Sequence, residues 1–267
     1  MSFFVFDNLF VFYLYRSLGN YQNPIVVVFL NFPNSTSSCP TLLNPSMVDN
    51  LFHEMGHAIH SMLARTPYQH ITGTRCSTDL AEVPSILMEN FASDPRVVAK
   101  FAKHYASGNP ISEKLLNNWI ESKNLFSASD LQLQLFYSAL DQVYHSDDPL
   151  RGCQNTTEVL TKIQQEYYGI SNTENTAWQL RFGHLVGYGA KYYSYLVSKS
   201  VANLIWNKLF ARDPLSPAAG NLYREKVLTH GGGKPPKNIV ESVLQHSITG
   251  ELLASSLVNN IEKLYFK

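Results

Sequence analysis

His53-Glu54-Met55-Gly56-His57 sets two imidazoles four residues apart, with a carboxylate beside the first. On an α-helix, positions i and i+4 lie one turn apart on the same face. Two ring nitrogens so placed can grip one Zn²⁺, which takes His nitrogen and carboxylate oxygen in tetrahedral sites. From its place beside His53, Glu54 can reach a water polarised by that ion and take its proton. The chemistry would be metal-assisted hydrolysis. Two histidines also meet this spacing by chance on ordinary helices. Here the pattern sits in a capped helix with apolar neighbours (Leu51, Phe52, Ile59) and carboxylates downstream. His60 reads as a helix-surface residue, or as support behind a ligand, rather than as a ligand itself.

A catalytic zinc site needs a third protein ligand and an open position. Asp79, Glu82 and Glu89 are the candidates, and spacing does not choose among them. Glu82 and Glu89 are seven apart, so both can face the first helix. One could bind metal while the other orients a ligand histidine. Asp79 reads equally well as a solvated helix carboxylate.

A second constellation is Phe182 to Leu196, FGHLVGYGAKYYSYL. Tyr188, Tyr192 and Tyr195 stand at i, i+4 and i+7, which a helix would align on one face. His184 precedes them, among Gly183, Gly187 and Gly189. A mobile glycine segment presenting His and Tyr donors suits stabilisation of an oxyanion. An aromatic core stripe is the other reading, and would be preferred without the HEMGH helix. His230-Gly231-Gly232-Gly233 looks like a lipase oxyanion-hole motif, but the chain has no G-x-S-x-G, so it reads as a loop.

The elements that must position these residues are mostly helices. Asn44-Pro45 is a helix start, with Asn as cap and Pro at the first helical position. The helix it opens runs to about residue 64. Residues 66–78 read as irregular, and a second helix spans Asp79 to Phe91, with Pro84 imposing a kink or a later start. Helical patterning returns over residues 112–123, 128–145, 157–168, 191–212 and 218–229. Ile25 to Leu30 (IVVVFL) is too short for a helix and reads as a buried strand. No linker marks a domain boundary after residue 45.

Composition narrows the function classes. Of 267 residues, 45% are hydrophobic and 16% charged, which excludes a disordered chain. Lys+Arg and Asp+Glu are both 21, so the balance does not support a basic nucleic-acid footprint. Three cysteines fit reduced or inert buried thiols better than a disulfide scaffold. The longest apolar runs fall short of a membrane span, so no membrane insertion is expected. The N-terminal stretch Met1 to Tyr15 lacks the basic region of a secretory signal and the Arg-rich, acid-poor character of a mitochondrial transit peptide.

The segments LFHEMGHAIHSML, YQHITGTRCSTDLAEVPSILMENF and FGHLVGYGAKYYSYL together resemble the thimet oligopeptidase family of zinc metallopeptidases. The wording is closest to its mitochondrial intermediate peptidase branch, including the GYGA loop. The resemblance runs from about Tyr21 to Leu252. It implies His53, His57 and Glu82 as ligands of one Zn²⁺ per chain, Glu54 as general base and Glu89 as support behind a ligand. It implies His184 and Tyr195 as catalytic donors, and Tyr188, Tyr192 and the Gly187 loop as substrate contacts. The implied fold is mainly α, a zincin-like helical catalytic region with a small β element near residues 25–30. Residues 21–267 would be the C-terminal part of the catalytic domain, preceded by an atypical segment, 1–20. The implied activity is removal of N-terminal octapeptides from imported precursor proteins in the mitochondrial matrix. A catalytically inactive zinc-binding fragment and a cytoplasmic oligopeptidase are the alternatives. Partners would be peptide or precursor substrates, not nucleic acid, with oligomeric state left open.

Overall fold

Asn44 starts the helix that carries the HEMGH motif. Its side chain accepts from the Met47 amide at 2.9 Å, and Pro45 follows where a missing N–H costs nothing. In this computed structural model, which describes residues 2–6, 9–13, 23–123, 125–147 and 155–265, helix α1 spans Pro45–Leu63. The single helix expected from Asp79 to Phe91 is two, α2 (Thr78–Ala81) and α3 (Val83–Ala92), broken at Glu82. Pro84 causes the break: it cannot donate to the carbonyl four residues back, and its ring crowds that position. The Ser85 hydroxyl bridges the gap, donating to the Glu82 carbonyl at 2.8 Å and lying 3.2 Å from Glu82 Oε2.

Further on come α4 (Pro95–Phe101), α5 (Glu113–Lys123), α6 (Ser127–Tyr144), α7 (Thr156–Tyr167) and the short α8 (His184–Gly187). Helix α9 (Ser194–Ile205) runs into a π-helical turn at Trp206–Phe210. Helices α10 (Pro217–Lys226), α11 (Pro236–Leu244) and α12 (Gly250–Tyr265) complete a mainly α fold. No helix among the described residues is long and apolar enough to cross a membrane.

The chain gathers into two compact units. One comprises Met1–Ser122 and Ser198–Asn259. In it β1 (Ser2–Phe6), β2 (Leu9–Tyr13) and β3 (Ile25–Val28) form an antiparallel sheet in that order, with Phe12 opposite Ile25. The strand expected to be buried is β3, and it is not buried: Ile25 is 53% exposed and Phe29, just beyond, 54%. The strand lies at the sheet's edge with α1 against it, so its apolar run is only partly covered. The core of this unit includes Leu80, Val83, Leu87, Ala202, Ile205 and Ile239, each no more than 1% exposed. Phe91 packs edge-on against Trp206 and Phe210, at centroid distances of 4.9 and 5.0 Å. Ser198 Oγ donates to the Asp79 carbonyl at 2.7 Å, tying α9 to α2.

The other unit comprises Lys123–Val197 and Asn260–Lys267. Helices α6 and α7 pack around Phe136, Leu140, Val159, Leu160 and Ile163, with Tyr137 and Trp178 closing over them. Asn155 caps α7, accepting from the Thr157 amide at 3.0 Å. The units divide inside α9, between Val197 and Ser198. No Pro- or Gly-rich linker falls there, which is why composition gives no boundary.

Two features of α1 govern its packing. His60 is buried in the core rather than placed at the surface, and neither ring nitrogen has a hydrogen-bond partner among the described residues. Burial pushes its pKa down to about 3, with the charge of His57 acting in the same direction. Gly56 is where α3 crosses: a Cβ there would sit 2.5 Å from the Pro84 carbonyl oxygen and 2.5 Å from the Ser85 Cα.

Both features give measurable consequences. Gly56→Ala must push the two backbones apart, and should lower stability by about 1–3 kcal/mol in denaturant titration. Gly220→Ala, in α10 with open space around the new methyl, should instead raise it by up to ~1 kcal/mol. For His60 the unfolded chain takes a proton near pH 6.5 while the folded chain resists until about 3. Stability is therefore full above the unfolded value and falls as pH drops through that window, by up to about 1.4 kcal/mol per unit. With a chelator present, His60→Leu should show a shallower fall than wild type over pH 6 to 4. Equal slopes would remove His60 as the cause.

Candidate active site

Helix α1 presents His53, Glu54 and His57 along one stretch, and the break between α2 and α3 presents Glu82. His57 Nε2 lies 3.3 Å from Glu82 Oε2, and His53 Nε2 lies 3.7 Å from the same oxygen. The three donor atoms fall within 4.8 Å of one another. A tetrahedral Zn²⁺ with bonds of about 2.1 Å sets its donors roughly 3.4 Å apart. Two imidazole nitrogens and one carboxylate oxygen at these separations therefore fit such an ion in number, type and spacing. His57 and Glu82 are each 2% exposed, whereas His53 is 23% exposed.

Charge is arranged to hold this set. His53 Nδ1 donates to Glu89 Oε1 at 2.6 Å, which leaves the Nε2 lone pair facing Glu82. Burial pulls the His53 pKa down. The hydrogen bond and charge of Glu89, with the charges of Glu82 and Glu54, outweigh it and hold the pKa above the ordinary histidine value. Burial likewise works to raise the Glu82 pKa. The hydrogen bond and charge of His57, then the charge of His53 and the Ser85 hydroxyl, hold that carboxyl below the usual range. Glu82 thus stays anionic although buried. Glu54 is 4% exposed on the same helix, close enough for its charge to act on His53.

The remaining carboxylate candidate, Asp79, is not in the group brought together; its backbone carbonyl accepts from Ser198 instead. Burial, followed by the charge of Asp79, pushes the Cys76 thiol up to about 12, so Cys76 is an inert thiol. Cys153 lies outside the described residues.

In the other unit, the tyrosines do not share a helical face as their spacing suggests. Residues 188–193 are turns, and only Tyr195 lies in α9. The rings nevertheless cluster. Tyr195 is 5.2 Å from Tyr192, 5.5 Å from Tyr188 and 6.1 Å from His184 between centroids. Tyr192 is buried, and its hydroxyl donates to Gln134 Oε1 at 3.0 Å. Burial, then the charge of Tyr137, pushes that phenol up to about 12, the Gln134 bond working the other way. Gly187 is exposed, with open space where a Cβ would sit.

Sequence reading did not identify Gly56, Ser85 or Asp141 as parts of this architecture. Gly56 was visible only as an unspecified position of the metal motif. Ser85 carried a weak signal, as a short hydroxyl in the first turn after a helix break. Asp141 carried none.

A sequence profile of peptidase family M3 matches residues 7–257. The mitochondrial intermediate peptidase of Homo sapiens is 54% identical over 244 residues, covering 91% of this chain and 34% of the human protein. The protein of that name from Arabidopsis thaliana is 42% identical over 220 residues, covering 82% of this chain and 31% of its own. The chain spans about a third of the length of the curated relatives it matches. The crystal structure of BsuCP shares the fold, with a TM-score of 0.60 at 19% identity over 81% of this chain and 48% of that one. Since the family profile spans nearly all of the sequence, and the relatives agree with it at up to 54% identity, the chain belongs to peptidase family M3.

Proposed function

We propose that this chain carries the catalytic apparatus of a zinc metalloendopeptidase, with one Zn²⁺ held by His53, His57 and Glu82. The observation that carries the reading is the convergence of His53 Nε2, His57 Nε2 and Glu82 Oε2, with the buried Glu54 on the same helix. In the finer form of the proposal, the chain removes N-terminal octapeptides from precursor proteins imported into the mitochondrial matrix. The names of its relatives and the family motifs support that form. Residues 21–267 would then be the C-terminal part of the family's catalytic domain. A second reading is a zinc-holding piece without turnover.

When bound, the metal supplies a Lewis acid that brings the pKa of a coordinated water to about 7. The chain's own residues do the rest. Glu54 takes the proton of the attacking water on its carboxylate and returns it to the leaving amine. Glu89 fixes the His53 ring so that Nε2 points inward. Ser85 holds the Glu82 carboxylate in place beside His57. His184 and Tyr195 are assigned as donors to the developing oxyanion, and Tyr188 and Tyr192 as substrate contacts. Those roles rest on the resemblance of their segment to the family.

Zinc content and turnover on a quenched fluorescent peptide test the scheme together. His53→Ala, His57→Ala and Glu82→Gln should each drop bound zinc well below one equivalent. Glu54→Gln should keep zinc and lose turnover by about 10²–10⁴-fold. Glu89→Gln should weaken zinc binding by roughly 10–100-fold without abolishing it. Full zinc retention by Glu82→Gln, with loss in Glu89→Gln, would exchange the two roles. A wild-type chain that holds zinc and cuts no peptide would favour the second reading.

Tyr195→Phe separates donor from packing. As an oxyanion donor, its loss should lower kcat by about 10²–10³-fold with KM little changed. As packing alone, it should cost ~1 kcal/mol of stability and leave kcat per folded molecule near wild type.

A further inference from the structure

We propose that Asp141, on α6, is a positioning residue that sets the place of the His184–Tyr195 segment. The inference rests on the donor roles given to that segment above. Its carboxylate is 0% exposed and faces the turn that the glycines lead into. Asp141 Oδ1 accepts from the Ala190 amide at 3.0 Å, and Oδ2 accepts from the Tyr192 amide at 2.9 Å. Each carboxylate oxygen thus takes one amide of the same turn, as a helix cap does with orphan N–H groups.

Three neighbours extend the grip, two on α6 and His145 at its C-cap. Gln142 Nε2 donates to the Ala190 carbonyl at 3.0 Å, so residue 190 is held at both its N–H and its C=O. Gln134 Oε1, two turns earlier, accepts from the Tyr192 hydroxyl. His145 Nδ1 lies 3.0 Å from Asp141 Oδ1, and its other nitrogen fills the space where a Cβ on Gly189 would sit, 2.6 Å away. Gly189 thus lets the His145 ring pack directly against the backbone of the turn.

The turn needs such a hold. Ala190 has φ 59, a left-handed conformation in which Cβ crowds the following carbonyl oxygen. Residues 188–193 make no regular helix that could pay for it. Tyr192 also stands between the outer rings, 5.6 Å from His184 and 5.2 Å from Tyr195. A shift at residues 190–192 therefore moves His184 on one side and Tyr195 on the other. Asn at 141 keeps size but turns an N–H₂ toward one of the two amides, so one bond must break.

The test has a spectroscopic arm and a kinetic arm. In protein labelled at its Tyr and His rings, Asp141→Asn should shift the NMR ring signals of His184, Tyr188 and Tyr195. Exchange of the Ala190 and Tyr192 amides should speed up by about 10-fold or more. Ile163→Val, a core trim in the same unit with a comparable small stability loss, should leave those signals in place. Should Asp141→Asn not fold, Gln142→Ala removes only the carbonyl contact and should show the same shifts at smaller size. Unmoved ring signals and unchanged exchange in the folded variant would overturn the proposal.

In the zinc-loaded enzyme, Asp141→Asn should lower kcat by roughly 10–100-fold with KM within about twofold. In a Tyr195→Phe background the same change should have much less effect. A fully additive loss there would overturn positioning through Tyr195. A wild type that holds zinc without turnover would instead defeat the functional reading of the previous subsection, and the ring signals would still decide the role of Asp141.

Discussion

The metal-site geometry depends on two backbones touching. Where α1 meets α3, Gly56 leaves no room for a methyl group against Pro84 and Ser85. That approach lets a carboxylate from the second helix pair reach both histidines of the first. The distance between helix axes follows the side chains at the contact, and larger ones there would carry Glu82 away from the histidines. The residue between the fixed letters of the metal motif is thus as constrained as the letters themselves, though for steric rather than chemical reasons.

The second constraint is the punctuation at Glu82. A glutamate inside a continuous helix would spread its neighbours along a regular stripe. Pro84 stops that stripe, and the residue left at the join has its own backbone geometry, φ −81 and ψ −14. Ser85 then occupies both the carbonyl and the carboxylate of the same residue. The buried acid is compensated from several sides, by His57, His53 and a hydroxyl, as a charge removed from water must be. The Asp141 carboxylate is the same device used on backbone amides: a fully buried group with one amide partner for each oxygen.

Much of this was legible in the residues. The i, i+4 histidines and their capped helix were readable because the helical period is rigid and Asn-Pro is a strong start. The pattern left Asp79, Glu82 and Glu89 open, because it measures distance along a helix and the helix is broken at the deciding residue. The tyrosine spacing suggested a helical face and the structure gives turns; a left-handed Ala190 has no signal in residue type. Strand β3 read as buried because its run is apolar throughout, yet the sequence of a strand does not say how many faces its fold covers. His60 read as surface or support because histidine usually is, and only the packing of α1 puts it in the core.

The three side chains that could hold a metal are unequally sheltered. His57 and Glu82 are walled in at 2% exposure, while His53 stands at 23% and its partner Glu89 at 41%. Among the described residues, the site therefore has a wet edge and a dry edge. The side of the set that water reaches carries His53 and Glu89, and the side it does not reach carries His57 and Glu82. A carboxylate 36 residues away in sequence thereby steadies the one ring of the three that stands at the water's side.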